Sequence, residues 1–275
     1  MSRASSLKSC LSFIHIPKNM GGSIESSLIK AYKFKASAES PSCAFRARSS
    51  NIKERLWGVC DDKIRCSRST HWPWQEGQHA WPGCTVAPNA PRSIPESIRQ
   101  LAGKTSCSPW HFPPAFDPTV AASYTKDCDS FCVVRDPMHR YLSQLRTMHP
   151  MKDVCDPQKL EQLTQKALNA VDLKIDCHLI PQVYYVYQDG EPTAPRICHH
   201  ILKYESMSSE FPALMGKYGL GKVNLTQQNA HRGHHCNVTP TSATVRMVAS
   251  FYSKDYKAFG FAARQAMVAL QYESV

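Results

Sequence analysis

No stretch of this chain approaches the ~20 consecutive apolar residues of a membrane-spanning helix, so the sequence itself predicts no span. It has no Cys-x-x-Cys pair, which removes the zinc-ribbon and thioredoxin-like readings. It also lacks the G-x-x-x-x-G-K-[ST] pattern of a Walker A loop and any evident pair of Mg²⁺-binding carboxylates, which argues against a nucleotide kinase. Lysine and arginine never form a block of the kind that marks a nucleic-acid arm. There is no internal repeat and no low-complexity tract. The opening segment, Met1 to Cys10, is too short and too polar for a signal peptide. Taken literally, the chain is soluble and untargeted. The Golgi lumen or secretory pathway is the expectation if an N-terminal anchor precedes it, and the cytoplasm otherwise.

What is present is more informative. The 275 residues are 42% hydrophobic, enough to bury the core of one large α/β domain, and the chain is read as a single domain over 1–275. The formal net charge is +11, spread thinly, which suits a pocket for anions better than a nucleic-acid stripe. Twelve cysteines are an even and high count. Cys60, Cys66, Cys84 and Cys107 fall in a Pro- and Trp-rich stretch that gains most from cross-links. Sequons at Asn224 and Asn237 point the same way, towards an oxidising compartment and a glycoprotein.

The hydrophobic pattern alternates between strands and helices, which predicts a parallel sheet flanked by helices. Strands are expected at Leu11–Ile16, Ser130–Val134 and Ile197–Tyr204. Helices are expected from Ser23 to about Tyr32, at Pro95–Ala102, Met138–Met148, Pro157–Val171, Ser208–Tyr218 and Ser242–Tyr252. Between about 37 and 110 the chain reads as an irregular, cysteine-rich insertion of long loops, and 228–240 as a further loop.

Two segments carry the chemistry. In the first, an apolar strand reaches Pro17-Lys18-Asn19-Met20-Gly21-Gly22-Ser23 and a helix follows. Backbone N–H groups at a helix start carry partial positive charge and suit a phosphate. Gly21 and Gly22 are expected to form the tight turn and Ser23 to cap the helix, while Lys18 adds a full charge. In the second, Phe131 to Val134 is a strand broken by Arg135-Asp136-Pro137, and a helix carries Arg140, Ser143 and Arg146. Arg135 then sits at the carboxyl end of a strand, where open α/β sheets bind ligands. Its guanidinium can grip a phosphate bidentately. Two anion loops in one chain suit a nucleotide bearing phosphates at both ends.

These segments resemble the two phosphate loops of sulfotransferases that use 3′-phosphoadenosine 5′-phosphosulfate (PAPS), in particular the heparan sulfate 2-O-sulfotransferase-like carbohydrate enzymes and their protist-type members. His15, Ile16, Pro17, Lys18, Asn19, Gly21 and Ser23 fit the family's "HIPKNAGTS"-type loop, whereas Met20 replaces a small residue and Gly22 a threonine. Arg135, Asp136, Pro137, Arg140, Ser143 and Arg146 fit "VRDPxxRxxSxxR". The resemblance implies a P-loop-like sulfotransferase fold and PAPS as co-substrate, with no metal. It implies that residues 17–23 bind the 5′-phosphosulfate and that Arg135 and Ser143 bind the 3′-phosphate. It further implies that Lys18 donates to the bridging oxygen as the sulfuryl group departs. The segment Cys177 to Gln182 is similar to the family's "HxxPQ", Leu202 to Glu205 to its "lryE" strand, and Asp255 to Phe261 to its terminal "DFexFGY".

Transfer to a hydroxyl needs a base near neutral pKa, and histidine is the usual choice. Of the twelve histidines, His111 in Trp110-His111-Phe112-Pro113-Pro114 is the candidate, with His71 and His79 as rivals. It lies between the two loops, where the family places its base. The run His231 to Cys236, with Cys198, His199 and His200, invites a zinc reading but matches no standard ligand spacing. Three functions are thus carried forward: a sulfotransferase acting on a hydroxyl, expected on a carbohydrate; a P-loop-like small-molecule kinase; and a non-catalytic binder of nucleotides or sulfated glycans. Glycan, phenolic and small-alcohol acceptors are all compatible with the sequence.

Overall fold

The structure, a computed structural model, describes residues 10–24, 27, 46–48, 64–66, 84–86, 111–125, 129–171, 178–218, 220, 223, 225, 236 and 238–262. The helix expected at Pro95–Ala102, the rival bases His71 and His79, both sequon asparagines, and His231, His234 and His235 lie outside those residues.

Three parallel strands form the centre. They are β1 (Cys10–Ile14), β5 (Asp129–Val134) and β6 (His200–Lys203), and β2 (Arg46–Arg48) adds antiparallel to the free edge of β1, giving the order β2-β1-β5-β6. A separate antiparallel pair, β3 (Ile64–Cys66) with β4 (Cys84–Val86), sets Cys66 opposite Cys84. The region read as loops with short helices therefore contains strands: short β segments without strong alternation carry little signal until a partner strand supplies the ladder.

Both faces of the sheet are covered, so its central strands read as apolar runs rather than alternating ones. Alternate residues still divide between two cores, because successive side chains point to opposite faces. Leu11, Phe13, Phe131, Val133 and Leu202 pack with Met207, Phe211, Leu214 and Met215 of the helix Met207–Lys217. Ile14, Cys132 and Val134 pack on the other face with Tyr124 of α1 (Pro118–Thr125), and with Val183 and Val186 of the single turn Val183–Val186. A third cluster joins α2 (Pro137–Met148), through Tyr141 and Leu145, to Leu160 of the helix Pro157–Asn169 and Val248 of the helix Ser242–Phe251.

The helices expected from Met138, Pro157, Ser208 and Ser242 start within one residue of those positions. Asp136 caps α2 by accepting from the His139 N–H at 2.9 Å, with Pro137 at the first position. With α3 as the short turn Met151–Val154, Asp156 caps α4 (Pro157–Asn169) and accepts from the Gln158 and Lys159 N–H groups. In the same numbering Val183–Val186 is α5, Met207–Lys217 is α6, Ser242–Phe251 is α7 and Ser253–Phe259 is α8.

Two disulfides are described. Cys132 of β5 is bonded to Cys198, just before β6, and Cys155 after α3 is bonded to Cys236 ahead of α7. They tie the sheet and the α3–α7 layer; the cross-links expected among Cys60, Cys66, Cys84 and Cys107 lie outside the described side chains. The two bridges also commit Cys198 and Cys236, which removes both sulfur ligands from the zinc reading. The Cys155–Cys236 bridge spans a sequence separation of 81. Replacing both cysteines with alanine is expected to lower unfolding free energy by about 2–5 kcal/mol through the freed denatured chain. Denaturant titration of oxidised wild type and the double variant measures this, and equal stabilities would contradict it.

Candidate functional site

The parallel pairing of β1 with β5 places Ile14 beside Cys132, so both strands end at the same edge of the sheet. The two anion loops leave from those ends and touch. An Arg135 Nη1 hydrogen is donated to the Lys18 carbonyl at 3.2 Å. Arg140, only 1% exposed, donates from Nε to the Pro17 carbonyl at 3.0 Å and from Nη2 to the His178 carbonyl at 3.0 Å. Arg140 is thus a latch, reaching from α2 to the first loop and to the segment before Gln182.

The first loop is built differently from the expectation. Its left-handed residues are Lys18, with φ 68°, and Met20, with φ 64°; neither glycine has a positive φ. Gly21 is needed for a close approach instead, because a Cβ there would lie 2.0 Å from His15 Nε2. Residues 21–24 are already helical, so Ser23 lies within the first turn and is not its cap. The Met20 carbonyl accepts from the Ser23 N–H at 2.9 Å and from the Ile24 N–H at 3.0 Å. Within such a turn the N–H groups of Gly21 and Gly22 have no helical acceptor.

The Asn19 side chain is turned inwards. It is 1% exposed, and its Nδ2 donates to the Val133 carbonyl at 2.7 Å and to Gln182 Oε1 at 2.6 Å. Gln182 is the junction. Its Oε1 also accepts from the Arg135 N–H at 2.9 Å, and its Nε2 donates to the Arg135 carbonyl at 2.9 Å. On the far side Asp255 of α8 accepts from the Gln182 N–H at 2.8 Å and the Val183 N–H at 2.9 Å. Gln182 and Asp255 appear in the sequence only as family-like segments; nothing in composition or spacing marks them as partners.

Positive charge concentrates between the loops. Lys18 Nζ donates to Thr147 Oγ1 at 2.6 Å, one turn beyond Ser143 on α2, whose carbonyl accepts from the same hydroxyl at 3.1 Å. Burial holds the Lys18 ammonium below its usual range, and the charges of Arg135 and Arg140 lower it further. The Arg135 guanidinium lies over the Tyr204 ring, 4.1 Å from its centroid, with its Nε buried and unpartnered among the described residues. Ser143 is partly buried one turn before Thr147 on α2. Arg146 is turned elsewhere: its Nη2 contacts the Cys236 carbonyl at 3.5 Å.

His111 joins the site from the side. Its Nε2 is 3.4 Å from His15 Nε2, and its carbonyl accepts from the Tyr185 hydroxyl at 2.8 Å. Burial lowers its pKa well below the ordinary imidazole range, and His15, His178, Lys18 and Arg140 all push it the same way. A cavity of about 650 Å³ lies elsewhere, along β6, lined among others by Arg196, His200, Lys203 and Lys217. It is a basic groove at the sheet edge, separate from the two loops.

No protein-family model, curated protein or solved structure matches the chain. The site is therefore read from its own geometry.

Two outcomes follow from the Gln182–Asp255 junction. Gln182→Ala strands the Asn19 amide and the Arg135 backbone groups, each costing about 1–3 kcal/mol if left unpaired. The variant is expected to lose about 2–4 kcal/mol of stability in thermal or denaturant unfolding; a loss within experimental error would show that the junction is not a support. Burial pushes the Asp255 carboxyl up to about 6, against the opposing effect of its bonds from Gln182 and Val183 and the Arg140 charge. The folded value is raised, so this group's stabilising contribution is complete below about pH 4 and is lost as pH rises through about 6. Relative to Asp255→Asn, wild type should therefore lose about 2–3 kcal/mol between about pH 4 and about pH 7. Parallel stability curves would rule this out.

Proposed function

We propose that the chain is a sulfotransferase that moves the sulfuryl group of PAPS to an acceptor hydroxyl, expected on a carbohydrate, by in-line displacement on a P-loop-like fold. One observation carries the reading: Lys18 and Arg135, from two different strand ends, are held together by the bond from the Arg135 guanidinium to the Lys18 carbonyl. Burial lowers the Lys18 pKa, and the charges of Arg135 and Arg140 lower it further, so the two cations repel. A ligand with two separated anionic groups relieves that repulsion and fills both loops.

In this reading the N–H groups of Gly21 and Gly22, with Lys18, receive the 5′-phosphosulfate, and Ser23 adds a hydroxyl. Arg135 and Ser143 receive the 3′-phosphate. The acceptor oxygen attacks sulfur while the bond from sulfur to the bridging oxygen breaks. That oxygen keeps the electron pair and becomes phosphate oxygen, with Lys18 stabilising the charge that develops on it. His111 takes the proton from the acceptor hydroxyl. A site that depends on placed charges, with a loose transition state, is what such displacement requires.

Calorimetry separates this reading from its rivals. The chain is expected to bind 3′-phosphoadenosine 5′-phosphate far more tightly than ATP; the reverse preference would favour a kinase. Arg135→Ala should weaken 3′-phosphoadenosine 5′-phosphate about 100-fold while leaving adenosine 5′-phosphosulfate, which lacks the 3′-phosphate, within about 3-fold. Equal losses for both ligands would remove Arg135 from the 3′ site. With labelled PAPS and a panel of glycan, phenolic and alcohol acceptors, Lys18→Ala should lower kcat by about 100-fold or more with a smaller change in KM. Nucleotide binding with no transfer to any acceptor would make the chain a binding protein.

A further inference from the structure

Among the described residues β6 is the outer strand of the sheet, with β5 on one side of it. Successive N–H and C=O pairs along a strand point to opposite edges. The Lys203 N–H marks which pairs point outwards, because it donates to Glu210 Oε2 of α6 at 2.8 Å. The N–H and C=O of Ile201, two residues earlier, therefore face the same outer side. Glu210 takes the place that the carbonyl of a further strand would take at Lys203. Ile201 presents its backbone to the cavity that runs along this edge.

That cavity, about 650 Å³, lies between α6 on one face of the sheet and Arg196 with Phe259 on the other. Ile201, Leu214 and Phe259 give it an apolar floor. Its rim carries three full cations, Arg196, Lys203 and Lys217, against the single carboxylate of Glu210. Arg196 and Lys217 are exposed, and the Lys203 ammonium stands over the Phe261 ring, 5.3 Å from its centroid. Burial holds the His200 imidazole below its usual range, and the Lys217 charge lowers it further. Near neutral pH the positive charge of the groove thus comes from its three long side chains. An occupant that fits must bring main-chain hydrogen-bonding groups for Ile201, apolar side chains for the floor and negative charge for the rim. A sulfated glycan brings the charge but neither of the other two.

We propose that this groove binds an extended acidic peptide segment of a protein partner, which adds a strand to the sheet beside β6. The peptide main chain bonds to Ile201, alternate apolar side chains rest on Leu214 and Phe259, and carboxylates meet Arg196, Lys203 and Lys217. A segment of about six residues covers the four residues of β6 with one to spare at each end. The inference is independent of the sulfotransferase reading, because the groove is separate from the two anion loops.

Fluorescence anisotropy of the full chain with a labelled, end-blocked octapeptide of alternating glutamate and valine tests this. The peptide is expected to bind with a Kd on the order of 10–100 μM, weakening as salt is raised. Two further probes carry N-methyl groups, one on every valine amide and the other on every glutamate amide. Alternate N–H groups point to opposite edges, so only one of the two sets can bond to β6, and the two probes should differ by about 10-fold in affinity. Arg196→Glu combined with Lys217→Glu should weaken the parent peptide about 10-fold or more. Ala213→Trp, which fills the groove from an exposed position on α6, should do the same, with circular dichroism showing both variants folded. No binding at about 1 mM peptide overturns the proposal. Equal affinity for the two methylated probes, or a parent peptide unaffected by the variants, overturns it as well. A sulfated hexasaccharide that binds more tightly than the peptide, and is lost in the same variants, would make the groove a glycan site instead.

Discussion

A single buried amide, that of Gln182, joins the parts of this molecule that would otherwise move independently. Its oxygen accepts from Asn19 in the first anion loop and from the backbone of Arg135 in the second, and its main chain is held by Asp255 near the C-terminal end of the described fold. The three segments are far apart in sequence, so their relative placement depends on a few directional bonds and not on chain connectivity. Buried polar groups of this kind are demanding, because each atom must find its partner or forfeit its hydration. That demand makes the arrangement specific: an apolar core could slide by an ångström, whereas this network cannot without leaving donors unpaired.

Around that junction the structure sets positive charge against its own interest. Lys18, Arg135 and Arg140 converge at the ends of β1 and β5, and burial, then the charges of both arginines, lower the Lys18 pKa. Arg140 spends its donors on two carbonyls and Arg135 spends one on the Lys18 carbonyl, so the cations are fixed by backbone. The Cys132–Cys198 disulfide locks β5 to the segment entering β6 just beneath. Scaffold, latch and charge cluster are thus stacked on the same three strands.

Much of the framework was legible from residues alone. Continuous apolar runs gave β1 and β5, and the helices expected from Met138 and Pro157 begin at Pro137 and Pro157, each behind an aspartate cap whose cause is local. What was illegible depends on contacts between distant segments. The antiparallel edge strand β2 and the β3–β4 pair have short, weakly patterned sequences that become strands only beside a partner. The roles of the first loop's residues were also exchanged. The glycine doublet suggested a left-handed turn, but φ is positive at Lys18 and Met20, and Gly21 is small because His15 needs the space. The Asn19 side chain is bonded into the Gln182 junction, which no local pattern announces. A motif announces which residue types a loop contains; it does not say which of them face inwards.

The positive φ values at Lys18 and Met20 have a thermodynamic consequence for the loop. Side chains rarely adopt that backbone region, and holding each residue there costs on the order of 1 kcal/mol. Here that cost is met when the chain folds, by the core contact of Met20 and the bonds made by Asn19. The backbone is thus already bent in the folded chain, and under the proposed reading an anion's binding energy would not be diverted into bending it.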